Sequence, residues 1–128
     1  FQQFLVIQKM AKVLNMEIEV LGCDIVREDN GLAMSSRNKR LSNIELKNAL
    51  VLQKALHHCK NNFGKIGLQD LQAECFGILQ KESEPEYFEI CDAESLLPIT
   101  EESHSENIRA LTATSIGEIR LIDNIEIV

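Results

Sequence analysis

Apolar residues recur at spacings of three and four near the start of the chain. Ile7, Met10 and Leu14 form one stripe, with Phe4, Leu5, Val6 and Val13 beside it and Gln8, Lys9, Lys12 and Asn15 opposite. This period predicts a helix over residues 2–15, with Gln3 one turn further up the same stripe. Residues 17–22 alternate and predict a strand. Val26 to Ser42 has neither period and predicts a long loop containing an Asn30-Gly31 turn. A sharp helix start follows. Ser42 and Glu45 stand at capping-box positions, and Leu41 and Leu46 at those of a hydrophobic staple. Ala49, Leu52, Leu56, Cys59 and Phe63 share one face of a helix reaching about Phe63. A second helix spans about 68–81, on the stripe Leu68, Leu71, Cys75, Ile78 and Leu79. Three strands are predicted over 86–92, 108–114 and 118–124, the last two joined at a Ser115-Ile116-Gly117 turn. An acidic, polar linker, 93–107, is expected to be mobile.

Helix, turn and strand in that order are the second half of a β-α-β unit. The pattern therefore predicts an α/β fold: the end of a doubly wound Rossmann-like domain, then a small α+β domain of two helices and a three-stranded antiparallel sheet. In a doubly wound sheet ligands bind at the carboxyl ends of the strands, where the 26–42 loop begins. The chain starts with Phe1 and enters a helix with no capping residue before it, as the C-terminal part of a longer protein would.

Composition changes this picture little. The 128 residues are 45% hydrophobic and 26% charged, with no apolar run long enough for a membrane span. Cys23, Cys59, Cys75 and Cys91 are too scattered for a zinc or redox motif and are expected to be buried or partly buried free thiols of a reducing, cytoplasmic compartment. His57 and His58 point about 100° apart on a helix and show no third ligand, so no metal site is assigned.

Charge is more informative. The net charge is −7, but residues 1–42 hold six basic and five acidic side chains, against seven and fifteen over residues 43–128. The basic residues of the loop are Arg27, Arg37, Lys39 and Arg40, with the hydroxyls of Ser35 and Ser36 among them. Guanidinium and hydroxyl donors suit an anion, above all phosphate. A solvated loop between two units explains the composition equally well. A stand-alone phosphate- or RNA-binding module using residues 37–40 is a further alternative, though the chain has no Trp and a single Tyr for base stacking. For Gln3, pattern alone favours a frayed first-turn glutamine.

A family resemblance bears on these choices. Gln2-Gln3-Phe4-Leu5-Val6-Ile7, the run Val26 to Asn38 with its Gly-Leu-Ala-Met-Ser-Ser-Arg-Asn core, Leu41-Ser42, Tyr87 to Leu96 and Thr114 to Asn124 together resemble the bacterial pantothenate synthetase family, in its C-terminal part. The resemblance runs the length of the chain. It implies an ATP-using ligase of the nucleotidyl transferase superfamily, which condenses pantoate with β-alanine through pantoyl adenylate in coenzyme A biosynthesis. Mg²⁺ is expected with ATP, and a homodimer of the full-length protein, with no nucleic-acid or membrane partner.

The resemblance also implies residue roles. Gln3 would hold pantoate. The Val26 backbone would meet adenine. Met34, Ser35, Ser36 and Arg37 would close over the triphosphate, with Ser35, Ser36 and Arg37 stabilising charge on the phosphates. Residues 1–26 would be the Rossmann remnant, 27–42 the ATP-binding loop and hinge, and 43–128 the C-terminal domain. The family's His-x-Gly-His motif does not occur in the chain, whose histidines are His57, His58 and His104. The chain alone is therefore expected to be inactive.

Overall fold

The computed structural model describes residues 1–103 and 105–128. The order of elements is α1 (Gln2–Val13), a short 3₁₀ helix (Ser36–Arg40), α2 (Asn43–Asn48), α3 (Leu50–Asn62), α4 (Leu68–Leu79), then β1 (Glu84–Asp92), β2 (Ile108–Ile116) and β3 (Ile119–Glu126). The strands form one antiparallel sheet in the order β1-β2-β3. This is the α+β unit that the pattern predicts. Among the described residues no helix is long and apolar enough to cross a membrane.

The core lies between one face of the sheet and the pair α3 and α4. Leu52, Leu56 and Cys59 of α3 meet Leu71, Cys75 and Leu79 of α4 over Phe88, Ile90, Ala110, Ile116, Ile119 and Leu121. These are the stripes read from the sequence, since positions three and four apart fall on one helical face while alternate strand positions share one sheet face. Every second residue of β3 from Ile119 to Asp123 is buried. β2 ends in a two-residue turn at Gly117-Glu118, with Ile116 opposite Ile119. Gly117 has φ +55°, and glycine first in the turn is the II′ arrangement that suits a twisted hairpin.

The capping box forms as expected. Ser42 Oγ accepts from the Glu45 amide at 3.3 Å, and Glu45 accepts from the Ser42 amide at 2.8 Å. Both bonds hold the Glu45 carboxyl below its usual range. The single helix expected from Ser42 to Phe63 is divided at Ala49. That residue keeps helical angles (φ −59°, ψ −22°), but its carbonyl takes the Leu52 amide three residues on, at 3.3 Å. The chain tightens locally to 3₁₀ geometry and continues as α3.

Two other expectations fail near the start. The strand predicted over 17–22 does not form: no other described segment pairs with it, and alternation alone cannot supply ladder hydrogen bonds. The apolar stripe of α1 lies uncovered beside that segment. Ala11 is the one buried residue of α1, while Val13 is 70% and Leu14 63% exposed. Cys23, in the same uncovered stretch, is exposed, whereas Cys59, Cys75 and Cys91 are buried; all four are free thiols. A hydrogen bond with Cys59 and then burial push the Cys75 thiol up, and burial does the same to Cys91. Neither is a ready nucleophile.

The 93–107 linker, apart from residue 104, which lies outside the described residues, is tied to β1. Pro98 bridges Cys91, the Ile99 amide donates to Ile90 at 3.0 Å, and Ile99 packs against the core. Asp92 gathers the ends of this segment. It accepts from Ser105 Oγ at 2.6 Å, Ser95 Oγ at 2.6 Å and the Ser95 amide at 2.7 Å. These bonds, Ser105 foremost, hold its carboxyl well below the ordinary carboxylate range. A carboxylate depressed in the folded state stabilises above its unfolded pKa of about 4, and that contribution disappears as pH falls toward the folded value. Chemical denaturation between about pH 7 and about pH 2.5 is therefore expected to show a steeper acid-side loss of stability in the native chain than in Asp92→Asn. Parallel slopes would mean that the carboxylate does not hold the linker.

Candidate functional site

The stretch 26–42 is built rather than irregular. Its first part is a miniature hairpin. The Met34 amide donates to the Val26 carbonyl at 2.9 Å, the Glu28 amide to Leu32 at 2.8 Å, and Arg27 bridges Ala33. Asn30 Oδ1 accepts from the Leu32 amide at 3.0 Å, and Gly31 turns the chain at φ +88°, a conformation open to glycine at little cost. Leu32 at the tip is buried in the core. Beyond the hairpin, Ser35 is extended (φ −152°, ψ 143°) and caps the 3₁₀ helix, its hydroxyl accepting from the Arg37 amide at 3.2 Å.

One arginine of the basic cluster is not available to a ligand. Arg27 grips Asp123 of β3 with both terminal nitrogens, at 2.8 and 3.0 Å, and also donates to the Gly31 carbonyl at 3.1 Å. The Asp123 side chain is 3% exposed. The pair ties the hairpin to the sheet, so Arg27 leaves the phosphate-binding set suggested by its place in the sequence. A carboxylate at an inward strand position needs a partner, and that was the signal in the sequence that could have reassigned it.

The remaining basic residues differ. Arg37, Lys39 and Arg40 are exposed and make no ion pair among the described residues. Ser36 is exposed beside them. Met34, Ser35, Arg37 and Asn38 line a groove of about 300 Å³, whose other wall is the outer strand β3 from Arg120 to Asn124. Ser36 and Lys39 line an adjoining hollow that shares Met34, Ser35 and Asn38 with it. The structure thus brings Met34, Ser35, Ser36 and Arg37 onto one arc, presenting two hydroxyls and a guanidinium with no ion pair among the described residues. Donors of this kind so arranged can attract and orient an anion.

Val26 and Gln3 are placed differently. Val26 reaches the arc only through its carbonyl, and that oxygen already accepts from Met34. Gln3 is exposed on α1 and lines neither hollow. The start of α1 does come close, because Phe1 lines the groove and lies under the Arg109 guanidinium, 4.1 Å from its ring centre. Arg109 in turn donates to Asn124 at 2.7 Å and Glu126 at 3.1 Å. Arg120 borders the groove, but Glu86 holds its guanidinium with both oxygens. Asp123, Asn124 and Asn38 were not singled out by sequence reasoning.

Comparisons with known proteins agree with one another. The family model described as Pantoate-beta-alanine ligase matches residues 1–126. A pantothenate synthetase of Sulfurihydrogenibium sp. is 42% identical over 98% of this chain and 46% of its own length. That of Clostridioides difficile is 40% identical over 96% of this chain and 44% of its own. The crystal structure of pantothenate synthetase from Thermus thermophilus superposes with a TM-score of 0.90 at 35% identity, over 98% of this chain and 46% of that one. A pantoate-beta-alanine ligase from Francisella tularensis, crystallised with beta-gamma ATP and beta-alanine, shares the fold at 23% identity, with a TM-score of 0.65 over 98% of this chain and 40% of that one. The chain spans about half the length of the relatives it matches.

Arg27→Ala is expected to lower stability by about 3 kcal/mol, because it strands a buried carboxylate. Limited proteolysis should then cut between residues 28 and 40 at a rate well above the native one. Native-like protection would show that the hairpin is held by Leu32 alone.

Proposed function

The chain belongs to the pantoate-beta-alanine ligase family, and from that premise we propose that it forms the triphosphate-gripping loop and C-terminal domain of an ATP-dependent ligase joining pantoate to β-alanine. The observation that carries the reading is the arc of Ser35, Ser36 and Arg37, whose guanidinium makes no ion pair among the described residues and stands beside a groove. In the proposed reaction a pantoate carboxylate oxygen bonds to the α-phosphorus of ATP while the bond to the bridging oxygen breaks. Pyrophosphate leaves with that electron pair. The β-alanine amine then attacks the acyl carbon, loses a proton, and AMP departs.

Charge accumulates on the phosphates in the first step. The Arg37 guanidinium and the two hydroxyls would meet it in an arc already held in shape by hydrogen bonds within the loop. Met34 and the Val26 backbone would lie toward the adenine and Gln3 toward pantoate. Under this reading residues 1–26 belong to the nucleotide-binding domain, 27–42 are the hinge and lid, and 43–128 are the domain that carries it. The chain is about half as long as its relatives, and the reading has the rest of the site, a His-x-Gly-His motif included, supplied by residues outside it. The full-length enzyme would be a cytoplasmic homodimer.

Mg²⁺ does not fit the groove residues present. The one carboxylate lining it, Asp123, has both oxygens engaged by Arg27.

Arg37→Ala in the full-length enzyme is expected to slow pantoate-dependent ATP–pyrophosphate exchange by roughly 10²-fold, with circular dichroism and thermal midpoint unchanged. A native exchange rate would remove the arc from the mechanism. The 128-residue chain by itself is expected to form no pantothenate from pantoate, β-alanine and ATP. Turnover by the purified chain would mean that the site needs nothing else.

A further inference from the structure

Asn38 stands apart from its neighbours. It is 8% exposed, in a run whose flanking residues Arg37 and Lys39 are exposed. Its side-chain nitrogen donates to the Ala33 carbonyl at 3.0 Å. Its backbone amide donates to Ser35 at 3.1 Å, and its carbonyl accepts from the Leu41 amide at 3.1 Å. The amide oxygen Oδ1 is buried and has no hydrogen-bond partner among the described residues. The residue lines both the groove and the adjoining hollow.

The bond from Asn38 to Ala33 closes a ring around Met34, Ser35, Ser36 and Arg37, the four residues of the anion arc. We propose that Asn38 is a positioning residue: its side-chain amide clasps the two ends of the arc and so aims Ser35, Ser36 and Arg37 at the triphosphate. The proposal rests on the ligase reading above. Stability gives this amide little reason to be there. One neutral hydrogen bond contributes modestly, and an unpartnered buried oxygen offsets it. An apolar side chain of the same size would fill the space without that cost. What it could not do is bond Ala33 and fix the curvature between Ala33 and Asn38. Small misplacements of groups that meet developing charge are expensive in rate.

The test uses the full-length enzyme with Asn38→Leu and Asn38→Asp, the second as a near-isosteric replacement in case the first does not fold. Pantoate-dependent ATP–pyrophosphate exchange is measured with the thermal midpoint. Each variant is expected to lose about tenfold or more in kcat/KM for ATP, with KM for pantoate and the midpoint unchanged. In the background of Arg37→Ala, Asn38→Leu is expected to add little further loss, because it acts through the arc that Arg37 completes. Native kcat/KM for ATP in a folded variant would overturn the proposal. So would losses that multiply independently in the double variant, or a KM for pantoate that rises in step with that for ATP.

Tripolyphosphate binding by calorimetry separates this proposal from the functional reading. If native protein shows no pantoate-dependent exchange, the ligase reading fails. Tripolyphosphate affinity lost in Asn38→Leu then still supports the clasp, and affinity unchanged in that variant overturns it.

Discussion

The contact between Arg27 and Asp123 is the constraint on which the site depends. Asp123 occupies an inward position of β3, where the neighbouring inward residues Ile119 and Leu121 belong to the apolar core. An ionised carboxylate there is tenable only with a partner that satisfies both oxygens. Arg27 does so from 96 residues away in sequence, and the planar fork of a guanidinium fits two carboxylate oxygens as a lysine ammonium does not. The consequence is geometric. Once Arg27 is fixed to the sheet, the hairpin from Val26 to Met34 lies against β3, and the arc that follows it opens beside that strand. Leu32 seals the tip in the core, so the loop is anchored by charge at one point and by apolar contact at another.

This division explains why so much of the fold is legible in the sequence and the site is less so. The faces of α3 and α4, the capping box at Ser42 and the hairpin at Gly117 depend on residues within one or two turns of one another. Their pattern is therefore local. The 17–22 segment shows the limit of such reasoning. Its alternation is that of a strand, yet a strand is a relation between two segments, and none of the described residues supplies the second. Arg27 shows the same limit for charge. Read in line it belongs with Arg37, Lys39 and Arg40, but in space it belongs with β3. Ser35, Ser36 and Arg37 were found because hydroxyls beside a guanidinium carry their chemistry in their types. Asn38 was not, because an amide in a loop signals only a turn until its bonds are seen.

The five arginines divide by what holds them. Arg27, Arg109 and Arg120 each bond a carboxylate, on Asp123, Glu126 and Glu86. Arg37 and Arg40 bond none among the described residues. The segment 43–128 carries fifteen acidic side chains against seven basic ones. In the 37–40 run, by contrast, Arg37, Lys39 and Arg40 stand close together with no salt bridge among the described residues. Under the proposed ligase reading that local charge selects where a polyanion lands before any hydrogen bond forms. At physiological salt that selection reaches only about 8 Å, the scale of the groove itself. On that reading the acidic 43–128 segment disfavours an anion over its own surface, and the positive run at 37–40 favours one beside Ser35, Ser36 and Arg37.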